Sequence, residues 1–294
     1  MTSDTAQPVQ MSGTFAIGGD LTVRRLGYGA MQICGDGVWG EPEDRAGAIA
    51  VLRRAVELGV DFIDTADSYG PAVSEDLIRE ALAPYGHVRV ATKAGLTRTG
   101  PGEWHPVGVP AYLRQCAEMS LRRLGVDTID LYQLHRIDAR IPLEKQLGVF
   151  VDLLAAGKIL HVGLSEVSVD DVRRAREIVP IASVQNLYNV ANRQSEELLN
   201  YCAEEGIAFI PWFPVATGQL AAPGGPLDAL SVRTGHSPAQ LALAWLLRRS
   251  PVMLPIPGTK SIAHLEENCA SAGVVLDDAT YTELDALAPP APTA

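Results

Sequence analysis

Residues 159–185, ILHVGLSEVSVDDVRRAREIVPIASVQ, contain one strand, one helix and a second strand. Residues 159–165 are an apolar run that predicts a buried strand, and residues 169–178 predict an amphipathic helix. Residues 181–185 are apolar again and predict the next strand. Apolar strands that alternate with amphipathic helices are typical of a parallel sheet covered by helices.

The same unit recurs along the chain, in eight strand-then-helix units. Eight units in ~260 residues favour a closed (β/α)8 barrel, an α/β fold, over an open doubly wound sheet. The stretch GYGAMQICGDG also lacks the G-x-G-x-x-G spacing of the open fold. A first strand leads into residues 27–29; the other predicted strands are 60–65, 87–93, 128–135, 159–165, 181–185, 207–213 and 252–258, and the predicted helices are 44–59, 74–82, 110–125, 142–157, 169–178, 193–206, 237–249 and 261–270.

Before the barrel, residues 14–29 contain two short β-prone runs around Gly18, Gly19 and Asp20, which predict an N-terminal β-hairpin cap. The 294 residues are 47% hydrophobic and contain no Pro/Gly/Ser-rich linker in the middle. We therefore expect a single barrel domain over residues 14–294. Residues 1–13 are expected to be a disordered tail.

The formal net charge of −11 argues against affinity for nucleic acid or an anionic membrane surface, since both require positive protein surfaces. No apolar run approaches the ~18 residues of a membrane span, and MTSDTAQPVQ lacks a signal-peptide pattern. The cysteines are far apart and indicate neither a metal site nor disulfides. We expect a cytoplasmic protein, a monomer or weak homo-oligomer, whose partner is a small molecule.

Ionisable side chains follow three consecutive predicted strands. Asp64 ends the second strand, with Tyr69 in the loop after it, Lys93 ends the third and His135 ends the fourth. The C-terminal strand ends of such a barrel carry its chemistry. An isolated Asp there is more often a turn or cap residue, and a Lys–Asp pair can be purely structural. A buried ammonium nevertheless needs a partner.

FIDTADSYG, VATKAG and DLYQLHRID, in this order, resemble the aldo-keto reductases. The resemblance continues through GLSEV, SVQNLYN, IPWFPVATG, and IPGTK with LEEN, over roughly residues 14–285. The catalytic tetrad of that family is Asp, Tyr, Lys and His. Carried over by position, the resemblance makes Asp64, Tyr69, Lys93 and His135 the catalytic residues.

The chemistry of these four side chains fits carbonyl reduction. Hydride delivery leaves negative charge on the carbonyl oxygen, which must be protonated or stabilised as it forms. Tyr69 is the expected proton donor, and the Lys93 ammonium is expected to bring its pKa from ~10 toward working pH. Asp64 would hold and neutralise Lys93, and His135 would orient the carbonyl.

Because side chains supply no hydride, the chemistry implies a nicotinamide cofactor. The resemblance favours NADPH over NADH. By the resemblance, Ser165, Glu166 and Gln185 meet the carboxamide, Trp212 stacks on the nicotinamide ring, and the loop 214–226 covers the pyrophosphate. The full set implied is Gly29, Ala30, Met31, Asp64, Ser165, Glu166, Gln185, Trp212, Phe213, Pro214, Val215, Thr217, Gly218, Gln219, Gly258, Thr259, Lys260, His264, Glu267 and Asn268.

Two positions depart from the family pattern. Glu166 stands where an amide is frequent, and a carboxylate can accept from the carboxamide nitrogen but cannot donate to it. His264 stands where an arginine often holds the 2′-phosphate of NADP. Lys260 and Thr259 remain available for that phosphate.

Loop residues are predicted to form the substrate pocket, with a mostly apolar or aromatic lining. RLGYGAMQICGDGVWGEPEDR, with DSYGP and FIPWFP, is similar to the bacterial pyridoxal reductase branch, which converts pyridoxal to pyridoxine with NADPH. A general aldehyde or ketone reductase is the rival hypothesis. The predicted pocket residues are Met31, Trp39, Tyr69, Trp104, His135 and Arg136.

Two hypotheses from other classes stay open at this point. One is a non-catalytic nicotinamide-binding redox sensor, as in the β subunits of potassium channels that resemble these reductases. The other is a Schiff-base aldolase, because Lys93 stands where a barrel enzyme can hold a nucleophilic amine.

Overall fold

The computed structural model describes residues 7–215 and 225–287. Short 3-10 helices cover Pro8–Ser12, Ala30–Ile33, Asp36–Val38 and Ser271–Gly273. The strands are β1 (Thr14–Ile17), β2 (Leu21–Arg24), β3 (Tyr28–Gly29), β4 (Phe62–Asp64), β5 (Arg89–Ala94), β6 (Leu96–Thr97), β7 (His105–Pro106), β8 (Ile129–Leu134), β9 (Ile159–Ser165), β10 (Ser183–Leu187) and β11 (Ala208–Trp212). The α-helices are α1 (Arg45–Glu57), α2 (Val73–Leu82), α3 (Pro110–Leu124), α4 (Leu143–Ala155), α5 (Val169–Arg176), α6 (Glu196–Glu205), α7 (Pro226–Thr234), α8 (Pro238–Arg249), α9 (Ile262–Ala270) and α10 (Asp278–Asp285).

The central sheet has seven parallel strands in the order β11, β10, β9, β8, β5, β4 and β3. Residues 252–255 connect its two edges. On one edge, Phe209 N donates to Val252 O at 2.9 Å and Leu254 N donates to Phe209 O at 2.8 Å; on the other, Gly27 N donates to Pro255 O at 3.0 Å. The sheet is thereby nearly closed, and the predicted barrel is confirmed.

The eighth predicted strand, residues 252–258, differs from the prediction. It lies between β11 and β3 as expected, but it is not a regular strand. Pro255 and Pro257 have no N–H to donate to a sheet ladder, so only isolated hydrogen bonds form along this segment.

The helices begin and end at residues whose chemistry explains their position. Ser168 and Ser237 each form a capping box at the start of α5 and α8, which satisfies amide groups of the first turn. Gly125 ends α3 in the left-handed conformation, at φ 70°. The helices α7 and α10 were not predicted, because they lie outside the repeating strand–helix units.

The predicted hairpin cap is confirmed. The strands β1 and β2 pair antiparallel across a turn in which Gly18 and Gly19 have φ of 65° and 92°. Three hairpin side chains, Ile17, Leu21 and Val23, belong to the same buried cluster as interior residues of the barrel strands. The hairpin therefore covers the N-terminal end of the barrel, opposite the strand ends that carry the polar residues.

Part of the N-terminal segment is ordered, so the prediction of a disordered tail over residues 1–13 is wrong for residues 8–12. They form a 3-10 helix in which Val9 is fully buried, and Val9 N donates to Leu58 O at 3.4 Å. The buried Val9 side chain holds residues 8–12 in place, although the polar composition of the segment predicted disorder. Residues 1–6 lie outside the described residues, and none of the helices described is long and apolar enough to span a membrane.

Candidate active site

Alternate residues of the central strands point into the barrel, and their character changes along each strand. Phe62 of β4 and Ala91 of β5 belong to the apolar interior cluster beside the hairpin. Two residues further along the same strands are Asp64 and Lys93, which share that interior side because side chains alternate with a period of two. The interior is thus apolar at the N-terminal end and polar at the C-terminal end.

Lys93 and Asp64 form a buried ion pair, with side chains 0% and 2% exposed. Lys93 Nζ donates to Asp64 Oδ1 and, at 2.8 Å, to the carbonyl oxygen of Thr65. The second carboxylate oxygen, Oδ2, accepts from Gln133 Nε2 at 3.0 Å and from Gln185 Nε2 at 2.9 Å. Both oxygens therefore have donors, as a buried charge requires.

This pairing keeps the Lys93 ammonium charged. Burial is the largest single effect and opposes the charged form, but the interactions with Asp64 and Tyr69 together outweigh it and raise the pKa of Lys93 above its ordinary value. A lysine that forms a Schiff base needs a neutral amine, and therefore a lowered pKa. The geometry does not favour the aldolase hypothesis.

Tyr69 lies in the loop after β4, where its amide donates to Ala66 O at 3.1 Å. Its ring centroid is 5.2 Å from Lys93 Nζ. Burial raises the pKa of Tyr69, and the nearby Lys93 charge offsets that rise only in part. The expectation of a pKa lowered toward working pH is therefore wrong. The phenol stays protonated, which is the state a proton donor needs before the reaction.

His135 directly follows β8. Its amide donates to Ala94 O at 2.8 Å, and its Nδ1 lies 3.3 Å from Ser68 Oγ. Burial, together with the positive charges of Lys93 and Arg136, holds the pKa of His135 well below its ordinary value. The imidazole is therefore neutral near pH 7, and it is suited to orienting a carbonyl oxygen without adding charge.

The rings of Tyr69, Trp104 and His135 lie close together. The centroid of Trp104 lies 6.2 Å from that of Tyr69 and 6.4 Å from that of His135, and the latter two are 5.9 Å apart. Two other predicted pocket residues, Met31 and Trp39, are 40% and 37% exposed. The Trp39 backbone pairs with Gly70, next to Tyr69. Trp39 and Trp104 therefore lie on the Tyr69 side of the barrel mouth.

Arg136 connects the histidine to the predicted carboxamide contacts. Its Nη1 donates to His135 O at 2.6 Å and to Ser165 Oγ at 3.0 Å. Ser165 ends β9, and Gln185 lies beside it on β10. Gln185 Nε2 also donates to Asp64, so hydrogen bonds connect predicted cofactor contacts with predicted catalytic residues.

Glu166 holds Trp212, the residue expected to stack on the nicotinamide ring. Its Oε1 accepts from Trp212 Nε1 at 2.5 Å and from Leu187 N at 2.8 Å. Glu166 also has a φ of 55°, which is uncommon for a residue with a side chain. An amide at this position could also accept at its oxygen, but the carboxylate makes stronger hydrogen bonds to both donors.

The predicted adenosine residues lie where the segment 256–260 meets β3. A Cβ at Gly258 would come within 2.5 Å of Gly29 O, so only glycine permits this close approach. Tyr28 Oη donates to Thr259 O at 2.6 Å. Among the other predicted residues, Asn268 is buried, Glu267 is half-buried, and Lys260 and His264 are exposed.

The remaining predicted cofactor residues lie at the ends of β3 and β11. Ala30 is buried on the 3-10 helix after β3. Phe213 is 50% exposed with a φ of 55°, and its carbonyl accepts from Asn189 Nδ2 at 3.0 Å. Pro214 is buried and Val215 is half-buried. Thr217, Gly218 and Gln219 lie outside the described residues.

Gln133 and Arg98 also contact this group of residues, and neither was predicted from the sequence. Gln133 stands two residues before His135 in the apolar run DLYQLH, and a fully buried amide in such a run is a signal that could have been used. Arg98 lies in the loop GLTRTGPGEW, where nothing in the sequence distinguishes it from an exposed arginine. Its role depends on contacts with two other loops.

Asp67, two residues before Tyr69, is a buried acid with an unsatisfied oxygen. Its side chain lies in the interior, and among the described residues Oδ1 has no hydrogen-bond partner. Burial, and secondly the charge of Glu75, raise the pKa of Asp67 to about 7. An Asp in the unfolded chain has a pKa of ~3.9. Between that pH and about 7, the folded protein therefore keeps a proton on Asp67 that the unfolded chain has lost.

This titration predicts that stability falls as pH rises from about 4 to about 7, since the folded state binds the extra proton in that range. Asp67→Asn removes the titration. The free energy of unfolding of the variant, minus that of the native protein, should therefore increase as pH rises across this range. The increase is up to ~4 kcal/mol, at about 1.36 kcal/mol per pH unit. Urea unfolding at pH 5 and pH 8 measures this; an equal difference at both pH values would contradict it.

The chain is similar to known proteins in sequence and in fold. The family model for the Aldo/keto reductase family matches residues 25–289. An uncharacterized oxidoreductase of Schizosaccharomyces pombe is 53% identical over 283 residues, covering 96% of this chain and 92% of that protein. The pyridoxine 4-dehydrogenase of Escherichia coli is 42% identical over 283 residues, covering 94% of this chain and 98% of that protein.

Solved structures agree with these matches. An aldo/keto reductase from Klebsiella pneumoniae in complex with NADP and acetate has a TM-score of 0.79 at 27% identity, covering 95% of this chain and 96% of that chain. A glycerol dehydrogenase from Gluconobacter oxydans has a TM-score of 0.84 at 25% identity, covering 96% and 99%. The barrel, the polar strand ends and these matches agree, and the chain belongs to the aldo/keto reductase family of oxidoreductases.

Proposed function

We propose that this protein reduces an aldehyde or ketone to an alcohol with NADPH, and that Tyr69 is the general acid. One observation carries the proposal: the buried ring of Tyr69 lies 5.2 Å from the Lys93 ammonium nitrogen, which forms an ion pair with the buried Asp64. A redox sensor that only binds the cofactor would not need this arrangement, which is costly to bury.

The bound cofactor would supply the hydride, and the side chains would handle the oxygen of the carbonyl. As negative charge develops on that oxygen, the Tyr69 hydroxyl donates its proton, and Lys93 stabilises the phenolate that remains. Asp64 keeps Lys93 charged and in place. The neutral imidazole of His135 holds the carbonyl oxygen toward Tyr69.

Contacts in the structure fit a nicotinamide cofactor. The Trp212 indole is fixed by Glu166 at the mouth of the barrel, so a flat face is held in place for a planar ring. Ser165 and Gln185 lie next to each other at the neighbouring strand ends. Gly29 and Gly258 have no side chain, so the two backbone segments beside the predicted adenosine site can approach each other closely.

We propose pyridoxal, which would become pyridoxine, as the substrate. The rings of Tyr69, His135 and Trp104 form an aromatic enclosure that suits a heteroaromatic aldehyde. The relative from Escherichia coli is named a pyridoxine 4-dehydrogenase, which supports the same pair of compounds. A general aldehyde reductase is the second candidate, because Met31 and Trp39 are partly exposed and leave the outer wall open.

We also propose a cytoplasmic location, since all four cysteines are free.

The pocket predicts a substrate preference. Pyridoxal and other aromatic or heteroaromatic aldehydes should be reduced with kcat/KM at least tenfold higher than pyruvate, because the enclosure offers flat apolar surface. NADPH oxidation across a panel of carbonyls measures this. Higher kcat/KM for pyruvate-like acids would contradict the predicted preference, and the charge of Arg136 would then explain their binding.

The adenosine assignment predicts a preference between the cofactors. Lys260→Ala should raise the Kd for NADPH about tenfold and leave that for NADH within twofold, because a charge-assisted hydrogen bond to a phosphate contributes ~1.5 kcal/mol. Quenching of tryptophan fluorescence by each cofactor provides the titration. Lys158→Ala is the matched control, since this lysine precedes β9 and pairs with Glu118. Equal weakening of both cofactors by Lys260→Ala would contradict a 2′-phosphate contact.

A further inference from the structure

Arg98 is a buried arginine in the loop between β6 and β7, with 8% of its surface exposed. No described carboxylate lies within ion-pair distance of it. Instead, all five N–H groups of its guanidinium donate to backbone carbonyl oxygens, which is the full donor capacity of the side chain. The acceptors are Glu103 O for Nε at 2.7 Å, Val38 O at 2.8 Å and Ser68 O at 2.9 Å for Nη1, and Gly37 O at 2.8 Å and Gly100 O at 3.3 Å for Nη2.

These acceptors belong to three different loops of the barrel mouth. Gly37 and Val38 follow β3, Ser68 follows β4, and the others are in the β6–β7 loop itself. Ser68 is the residue before Tyr69, and its hydroxyl also contacts His135 Nδ1. One guanidinium therefore connects the proposed proton donor to both neighbouring loops.

Arg98 also positions an aromatic wall. Its guanidinium carbon lies 3.5 Å from the ring centroid of Trp104 and 5.8 Å from that of Trp39. The first distance is a close cation–π stack. Because Trp104 meets the edges of Tyr69 and His135, its position determines how much space remains beside the reacting groups.

We infer that Arg98 is a positioning residue that sets the aldehyde selectivity of this enzyme, by holding three loops and Trp104 around Tyr69. The inference rests on the proposed function for its substrate class. A lysine cannot replace Arg98, because it has three donors in place of five and no planar face to stack on an indole.

The test is Arg98→Lys. This change keeps the positive charge but removes the planar guanidinium, and with it the five N–H donors and the stacking on Trp104. The readout is the ratio of kcat/KM for 4-nitrobenzaldehyde to that for propanal. This ratio cancels the concentration of active enzyme, so a general loss of stability does not change it. We expect the ratio to fall at least tenfold, because a ring substrate depends on the Trp104 wall and propanal does not.

The matched control is Arg25→Lys. Arg25 also donates to three backbone carbonyls, those of Leu247, Ser250 and Met253, but it lies before β3 at the opposite end of the barrel. Its replacement should lower the Tm and leave the selectivity ratio within twofold. A similar fall of the ratio in both variants would overturn the inference.

Amide hydrogen exchange tests the same inference without turnover. Arg98→Lys should speed exchange at least tenfold in peptides that cover residues 35–40, 66–70 and 98–104, whereas Arg25→Lys should do so only near residues 247–255. If the native protein reduces no aldehyde, the proposed function is wrong but the role of Arg98 in holding the loops is not affected. If amide exchange around Tyr69 is unchanged in Arg98→Lys, the role of Arg98 is wrong.

If Arg98→Lys does not fold, Trp104→Leu replaces it in the turnover assay. This change removes the ring that Arg98 holds and leaves the guanidinium with its carbonyl partners. The selectivity ratio should again fall at least tenfold. A ratio equal to that of the native protein would show that Arg98 does not act through Trp104 and would overturn the inference.

Discussion

Tyr69→Phe should lower kcat by a factor of 10² or more, the loss expected when a general acid is removed. The change deletes one hydroxyl and keeps the ring that contacts Trp104 and His135. Folding and the Kd for NADPH should therefore stay close to native values. Steady-state kinetics with saturating NADPH and fluorescence titration of the cofactor measure the two quantities.

Tyr85→Phe is the matched control for that variant. The Tyr85 hydroxyl donates to Leu124 O at 2.7 Å, away from the polar strand ends, so its loss should affect stability and leave kcat within twofold. If Tyr69→Phe kept near-normal kcat, the proton would have to come from another group, and the assignment of Tyr69 as general acid would be wrong.

Lys93→Met should lower kcat by a similar factor, because the charge that stabilises the Tyr69 phenolate is lost while the apolar stem is kept. It should also lower stability by several kcal/mol, since it leaves Asp64 as a buried charge without its partner. Kinetics at a temperature well below the Tm separate the two effects. If kcat per folded molecule of Lys93→Met equals that of the native protein, the ion pair is only structural.

Arg123→Met is the control for the ion pair. Arg123 pairs with the fully buried Glu75, outside the set of residues proposed for catalysis. Breaking this pair should cost stability of the same order and leave kcat per folded molecule unchanged. The contrast between the two variants distinguishes a catalytic ion pair from a structural one.

The barrel could be predicted from the sequence because its strands are apolar runs at regular intervals, as in residues 159–165 and 181–185. The polar strand ends were predictable for the same reason. Asp64, Lys93 and His135 each interrupt or end such a run, and parallel strands bring their C-terminal ends to one rim.

What the sequence could not show depends on contacts between distant segments. The role of Arg98 requires the carbonyls of Val38 and Ser68, and no local pattern encodes that meeting. The direction of the Tyr69 pKa depends on how deeply the ring is buried, which outweighs the nearby Lys93 charge. Order at residues 8–12 follows from the burial of Val9.

The central claim is that Tyr69 and Lys93 act as one proton-donating unit, and the kcat of the double variant Tyr69→Phe with Lys93→Met tests it most directly. Groups that act as a unit lose their effects non-additively. The double variant should therefore be hardly slower than the more damaging single change. If the two losses instead multiply in full, the two groups contribute independently, and the claim that Lys93 acts through Tyr69 is contradicted.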